Sequence, residues 1–232
     1  MCGRITLTIP DRRSLAGALG LPEAAVPEDY APRTNIAPGQ FHLILCGDLT
    51  LQRARWGLVP HWAKDASFAH RTINARAETV HRKPAFRDAF RRRRCVVVAD
   101  GFYEWKGPKG DKVPYWIHPQ KTALLPLAGL WDTWRGPDGT LLPTFTVVTC
   151  PAHPALARIH DRMPVLLSAA DQARWLDPSL RSPEALADVL SPHLPVALEL
   201  RPVSRAVNDV RHEGPALLDP AGPCEVVAPD DR

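Results

Sequence analysis

Apolar residues recur along most of this chain with a period of two, in short runs broken by Gly, Pro and Asp, which is the pattern of strands rather than long helices. Ile5 to Ile9 reads as an opening strand, and Phe41 to Leu45 and Leu49 to Trp56 flank Gly47-Asp48 as the arms of a hairpin. Cys95 to Ala99 is apolar throughout, as a strand buried on both faces would be, and Gly101-Phe-Tyr-Glu-Trp105 continues from it after Asp100. Tyr115 to His118, Leu124 to Trp134 and Thr144 to Thr149 predict further strands, the last two joined through the turn Gly136-Pro-Asp-Gly139. Val165 to Leu167 and Ala197 to Val203 complete the set.

Helical spacing is confined to short stretches. Asp11 caps one over Pro10 to Gly20, Lys83 to Arg94 places Phe86 and Phe90 on one side, Ser168 or Asp171 to Leu176 forms a third, and Ser182 caps a fourth over Pro183 to Leu190. Pro22 to Gly39 carries four prolines and reads as irregular, as do Trp56 to Trp62, Thr72 to Glu78 and Ser204 to Asn208. The expectation is an α+β fold: a single compact domain over residues 1–222, built on an antiparallel, barrel-like β-sheet with flanking short helices. The acidic, Pro-containing end, 223–232, is expected to be a mobile tail.

Composition narrows the class. With 45% hydrophobic and 23% charged residues among 232, the chain has core enough to fold and is not intrinsically disordered. It lacks an apolar run of about 18 residues and the apolar segment of a signal peptide, so a cytoplasmic protein is expected. Cys2, Cys46, Cys95, Cys150 and Cys224 are odd in number, widely spaced and free of any Cys-x-x-Cys pair, which fits free thiols and not a disulfide framework or zinc site. The net charge of +4 rests on 29 basic residues of which six are Lys, leaving 23 Arg; that bias suits phosphate recognition and equally follows from a GC-rich genome.

Cys2 is the position with unusual chemistry. Removal of Met1 would expose a 1,2-aminothiol whose amine and thiol, with ordinary pKa values of about 8 and 8.5, are both partly nucleophilic near neutrality. Such a pair condenses with an aldehyde, first as an imine and then as a five-membered thiazolidine. Glu104, set among Phe102, Tyr103 and Trp105, is a candidate proton donor of raised pKa, or else a surface carboxylate beside core aromatics. His160 lies between Ile159 and Asp161 ahead of Pro164, placed to relay protons or to hold an oxygen; no metal-binding His spacing accompanies it. Asn74 and Asn35 are amides beside arginines, and the block Arg82 to Arg94 holds seven basic residues against Asp88, fit for a phosphate backbone or for a solvated helix face. Trp62, in a Pro-flanked loop, is a candidate platform for stacking a base.

Six fragments in order, Met1-Cys-Gly-Arg4, Asn35-Ile-Ala-Pro38, Ile73-Asn-Ala-Arg-Ala-Glu78, Asp100-Gly-Phe-Tyr-Glu-Trp105, Ile159-His-Asp-Arg-Met-Pro164 and Pro202-Val-Ser-Arg-Ala-Val-Asn208, closely resemble the SOS-response-associated peptidase family across nearly the whole chain. The resemblance implies a sheet-based fold with Cys2 at the floor of a positive groove, and a covalent thiazolidine bond from Cys2 to the ring-opened aldehyde of an abasic site in single-stranded DNA. It implies Glu104 as acid and base with lyase-like Schiff-base chemistry, Asn74 and His160 as positioning groups, and Arg4 and Arg76 as phosphate ligands. Arg162, Ser204 and Arg205 would be further DNA contacts, with Trp62 beside the lesion and His61 where an aromatic partner is expected. An autopeptidase step would release Met1. No cofactor, metal or membrane partner is implied, and a monomer that associates with the nucleoid when on DNA is expected.

Two other classes remain open on the residues alone. An N-terminal-nucleophile amidohydrolase or thiol peptidase would use the same Cys2 and turn over an amide. A noncatalytic single-strand-binding module would use the arginines and Trp62 without any covalent product. The aminothiol reading predicts that the intact mass of the purified protein is short by one methionine, with Cys at position one in terminal sequencing; retained Met1 would rule out thiazolidine chemistry in that preparation.

Overall fold

The computed structural model describes residues 2–230. In chain order the elements are β1 (Ile5–Leu7), α1 (Arg12–Leu19), β2 (Arg33–Ile36), β3 (Phe41–Cys46), β4 (Leu51–Trp56), β5 (Asn74–Arg76), α2 (Arg87–Arg92), β6 (Arg94–Val97), β7 (Gly101–Lys106), β8 (Val113–Pro119), β9 (Leu127–Arg135), β10 (Leu141–Pro151), α3 (Pro154–Ala157), β11 (Arg162–Pro164), α4 (Ala169–Leu176), β12 (Leu198–Pro202) and β13 (Glu225–Val227), with 3-10 turns between several of them.

The strands divide into two systems. β10, β4, β3, β6 and β9 pair in that order and β9 returns to β10, so five strands close a barrel. The second system is an open antiparallel sheet in the order β13-β12-β8-β7-β1-β2. The α+β class and the single barrel-like body agree with the sequence pattern. The barrel is mixed, however: β10 runs parallel to β4 and to β5, whereas the other pairings in it are antiparallel. Antiparallel hairpins are local and leave a sequence signature, whereas these parallel pairs join segments some seventy to ninety residues apart and leave none.

Closure is tight where β9 crosses β6. A Cβ on Gly129 would lie 2.7 Å from a Val97 methyl and 3.0 Å from Cys95 Sγ, so the backbones approach more closely than any side chain there permits. The continuous run Cys95 to Ala99 is buried on both faces, as its pattern predicts. From Thr144 to Cys150, β10 is wholly buried as well. Its threonines serve as internal hydrogen-bonding groups: Thr144 Oγ1 donates to Asp132 O at 3.2 Å and accepts from Val59 N at 2.9 Å.

Asp11 caps α1 through Ser14 N, and Ser168 and Asp171 form a reciprocal capping box at α4. Buried Arg94 donates to the Phe90, Trp175 and Asp177 carbonyls, satisfying the C-terminal ends of α2 and α4 together. Asp100 fastens β1 to β7 by accepting from Thr6 Oγ1 at 2.6 Å, Thr8 Oγ1 at 2.6 Å and Thr8 N.

Three local expectations are corrected. The segment Pro22 to Gly39 contains strand β2, whose partner β1 lies upstream across the whole proline-rich stretch. The helix expected over Pro183 to Leu190 is only a 3-10 turn, Glu184–Leu186. The tail expected over 223–232 is docked: β13 pairs with β12, Arg158 grips Glu225, and Asp230 accepts from Leu194 N at 2.9 Å, because Val227 buries its side chain. Asp231 and Arg232 lie outside the described residues. Among the described residues no helix is long and apolar enough to cross a membrane.

The junction of β1, β7 and β8 is where the fold tolerates least. A Cβ on Gly101 would stand 2.4 Å from Trp116 Nε1 and 2.9 Å from Thr6 Oγ1, breaking the 3.1 Å hydrogen bond between those two atoms. Gly101→Ala is expected to destabilise the protein by about 1–3 kcal/mol, seen as a lower urea midpoint with an unchanged slope.

Candidate active site

The chain start is threaded into the core. β1 pairs with β7 through Ile5 and Phe102, and Tyr103 N donates to Arg4 O at 2.9 Å, so the first residues run alongside Glu104 and Trp105. Cys2 is fully buried. From the barrel side, β5 hangs on the far half of β10 by the pairs Val147 with Asn74 and Thr149 with Arg76, and Asn74 Nδ2 donates to Cys2 O at 2.7 Å. Cys2 therefore sits at the seam between the two strand systems, with Glu104 arriving from one and Asn74 from the other.

The same half of β10 carries the third element. Its outer edge pairs antiparallel with β11, Thr149 opposite Pro164 and Pro151 opposite Arg162, which fixes the turn holding His160 and Asp161. His160 Nδ1 lies 3.0 Å from Arg162 N and 2.9 Å from an Asp161 carboxylate oxygen, two neighbours that ask for opposite tautomers. Burial lowers the His160 pKa, and because Asp161 is well hydrated, the backbone donor at Arg162 N favours a neutral ring whose Nδ1 accepts.

Electrostatics set the resting state of the pair. Burial raises Glu104 to about 7, so its carboxyl is partly protonated at neutral pH. Burial first, and the nearby Glu104 charge second, push the Cys2 thiol well above its ordinary range. Cys46 and Cys150 are also raised by burial, to about 11 and about 12. Asn74 Oδ1 is buried with no hydrogen-bond partner among the described residues, which leaves an acceptor beside Cys2.

Asn74 was expected in irregular backbone and lies on β5, a strand made by pairing and not by its own sequence. Arg4 is buried: its guanidinium donates to Asn35 Oδ1 and to Val207 O at 2.6 Å and lies 5.7 Å from the centre of the Trp105 ring. Asn35 in turn donates to the Asp209 and His212 carbonyls at 3.0 and 2.9 Å, and Trp105 Nε1 donates to Asn208 Oδ1 at 2.8 Å. The fragments around Asn35 and Asn208 thus brace the chain start. Arg76 is exposed beside the site, and Arg162 grips Glu78 and the Thr149 carbonyl.

Ser204 caps the turn Arg205–Asn208 through Ala206 N, and exposed Arg205 pairs with Asp111 in the β7–β8 turn. Trp62, 48% exposed, stands apart on a cleft of about 630 Å³ with Lys64, Phe68, His70 and Arg71, its ring edge-on to Phe68. His61 leans on Asp132 instead of on a ring. Sequence reasoning missed Lys112, whose charge acts on both Glu104 and His160, and Glu78. A Lys following the Gly-rich turn after Phe-Tyr-Glu-Trp was the available signal for the first. Among the described residues no cluster of three or more His, Cys, Asp or Glu could hold a metal ion. The release of Met1 concerns a residue outside those described.

A model of the SOS response associated peptidase (SRAP) family matches residues 1–210. The chain is 37% identical over 224 residues to abasic site processing protein YoqW of Bacillus subtilis, covering 94% of this chain and 99% of that protein. It is 31% identical over 272 residues to abasic site processing protein HMCES of Mus musculus, covering 95% and 76%. A crystal structure of a protein from Bacteroides thetaiotaomicron matches with a TM-score of 0.78 at 24% identity, over 95% of this chain and 100% of that one. A phage-related protein from Bordetella bronchiseptica matches with a TM-score of 0.61 at 33% identity, over 82% and 87%. The chain belongs to the SRAP family.

Glu104 bears a cost that depends on pH. Its folded pKa stands above the ordinary carboxylate value, so the folded state holds the proton longer than the unfolded one, and stability falls as pH rises from about 4.5 through about 7. Glu104→Gln removes that cost. Urea unfolding should show the variant matching the parent near pH 4 and exceeding it by up to about 3 kcal/mol at pH 8, at about 1.4 kcal/mol per pKa unit.

Proposed function

We propose that this member of the SRAP family processes abasic sites by bonding Cys2, exposed as the mature N-terminus, to the ring-opened aldehyde of an abasic deoxyribose in single-stranded DNA. The observation that carries the reading is the convergence of a buried Cys2, a carboxyl poised near neutrality and a buried amide at one seam. The names of the relatives, abasic site processing proteins, supply the substrate class.

The steps follow from the charges. The neutral form of Glu104 gives a proton to the ring oxygen of the cyclic hemiacetal while its other carboxyl oxygen takes the proton of the anomeric hydroxyl, releasing the aldehyde and leaving the carboxyl neutral again. Because the thiol is held protonated, the amine adds first; the carbinolamine loses water with a proton from Glu104, and an imine forms. The thiol then adds across the imine, its sulfur bonding to the former aldehyde carbon and its proton passing to nitrogen through the carboxylate. The balance is one aldehyde plus one aminothiol giving one thiazolidine and one water. Asn74 holds the Cys2 carbonyl and offers Oδ1 to the amine, and His160, donating from Nε2, steadies the sugar hydroxyl. Arg76 and Arg162 meet the flanking phosphates, with Trp62 stacking on a base further along.

The burial that keeps the Cys2 thiol protonated works against the thiol-peptidase reading, which needs a thiolate. A noncatalytic binding module would have no use for a carboxyl kept near pH 7 at an energetic cost.

Incubation with a single-stranded oligonucleotide carrying one abasic site should give an adduct that survives heat and denaturing electrophoresis. Cys2→Ala should leave only an imine, visible after borohydride reduction and lost otherwise. Glu104→Gln should slow adduct formation at least about tenfold, and the parent rate should decline as pH rises past about 7. A parent protein of verified Cys terminus that forms no adduct would sink the proposal.

A further inference from the structure

Arg162 is held by a carboxylate that lies where an anion from outside would bind. Its two terminal nitrogens face Glu78, Nη1 to Oε1 and Nη2 to Oε2 at 3.0 Å, while Nη2 also reaches the Thr149 carbonyl at 2.6 Å. This is the parallel two-bond geometry with which a guanidinium takes a carboxylate or a phosphate. The Arg162 side chain is 10% exposed and that of Glu78 is 46% exposed, so the carboxylate covers the outer edge of an otherwise enclosed fork. The fork itself is anchored from behind, since Thr149 belongs to the rigid half of β10.

Glu78 differs in its setting. It lies past the end of β5, in a turn where Ala77 N still reaches Thr149 O and Thr79 N closes back on Arg76 O. Its side chain is held by the fork and by its own backbone amide, and the charge of Arg76 also acts on it. A fixed cation, a second cation beside it and a hydrated anion on a turn form an ion pair that can be exchanged.

We propose that Glu78 is a built-in occupant of a phosphate seat formed by Arg76 and Arg162, displaced when a backbone phosphate of the bound strand takes its place. The proposal rests on the DNA-binding reading above and deepens it. Its consequence is selectivity. Each intact strand must displace an internal competitor to dock, so non-covalent association stays weak and transient, whereas a strand bearing an aldehyde is retained by the covalent bond. The alternative is a permanent buttress, in which Glu78 aims Arg162 and stays in place when DNA binds.

The two arrangements predict opposite signs. Binding of an intact, fluorescein-labelled single-stranded oligonucleotide, which cannot form the covalent bond, is followed by anisotropy across a salt series. Glu78→Gln should tighten binding about fivefold, the order expected when an exposed ion pair no longer has to be broken. The dependence of log affinity on log salt should steepen by about 0.7, as for one more phosphate neutralised on a single strand. In an Arg162→Gln background the same substitution should give no gain, since the gain runs through that fork; a gain that persists there marks a bulk charge effect and overturns the proposal. Unchanged or weaker binding by Glu78→Gln, with the thermal midpoint preserved, overturns it as well. A parent protein that binds and crosslinks DNA beside such a variant leaves the functional reading intact and removes only this inference, whereas a parent that does neither removes both.

Discussion

The hydrogen bond from Asn74 to the Cys2 carbonyl joins the beginning of the chain to a strand of the barrel, and the geometry of the site depends on it. A chain start is ordinarily solvated and frayed. Here it lies with its thiol fully enclosed, so its backbone groups need partners inside the protein. Asn74 supplies one to the Cys2 carbonyl on the barrel side, Tyr103 supplies one to the Arg4 carbonyl on the sheet side, and the Arg4 guanidinium is clamped to the Val207 carbonyl and to Asn35. The fold thus holds the segment from Cys2 to Arg4 from both strand systems.

That enclosure separates the roles of the charged groups. Charge inside the seam is suppressed, by burial that raises both the Cys2 thiol and Glu104. At its rim Arg76 is exposed and Arg162 is paired with Glu78. Arg4, which the motif would place with the phosphate ligands, donates to the protein acceptors Asn35 and Val207 and lies over the Trp105 face, two residues from Cys2.

How much of this was legible depended on the distance over which each feature is made. β3, β4, β6, β7, β9 and β10 carry their pattern within themselves and were readable. β5 was not, because Asn74-Ala-Arg76 has no strand character of its own and becomes a strand only against Val147 to Thr149. Glu104 announced itself by its aromatic neighbours, and Cys2 by its position. The grip of Arg162 on Glu78 spans 84 residues and leaves no trace in local sequence. The docked end was misread for a related reason: acidic residues and prolines suggest a solvated tail, but Glu225 and Asp230 meet Arg158 and Leu194, partners that only the tertiary fold provides.

The clamp on Arg4 also constrains the order in which the molecule is made. Its acceptor at Val207 lies 203 residues downstream, so during synthesis this clamp cannot close until Val207 has emerged. The parallel pairings of β10 belong to the same late stage, since they need loops of many tens of residues to close first. Until then Cys2 is open to solvent; afterwards it is enclosed within the seam. Enclosure of Cys2 and completion of the fold are thereby tied together, both waiting on the emergence of β10 and Val207.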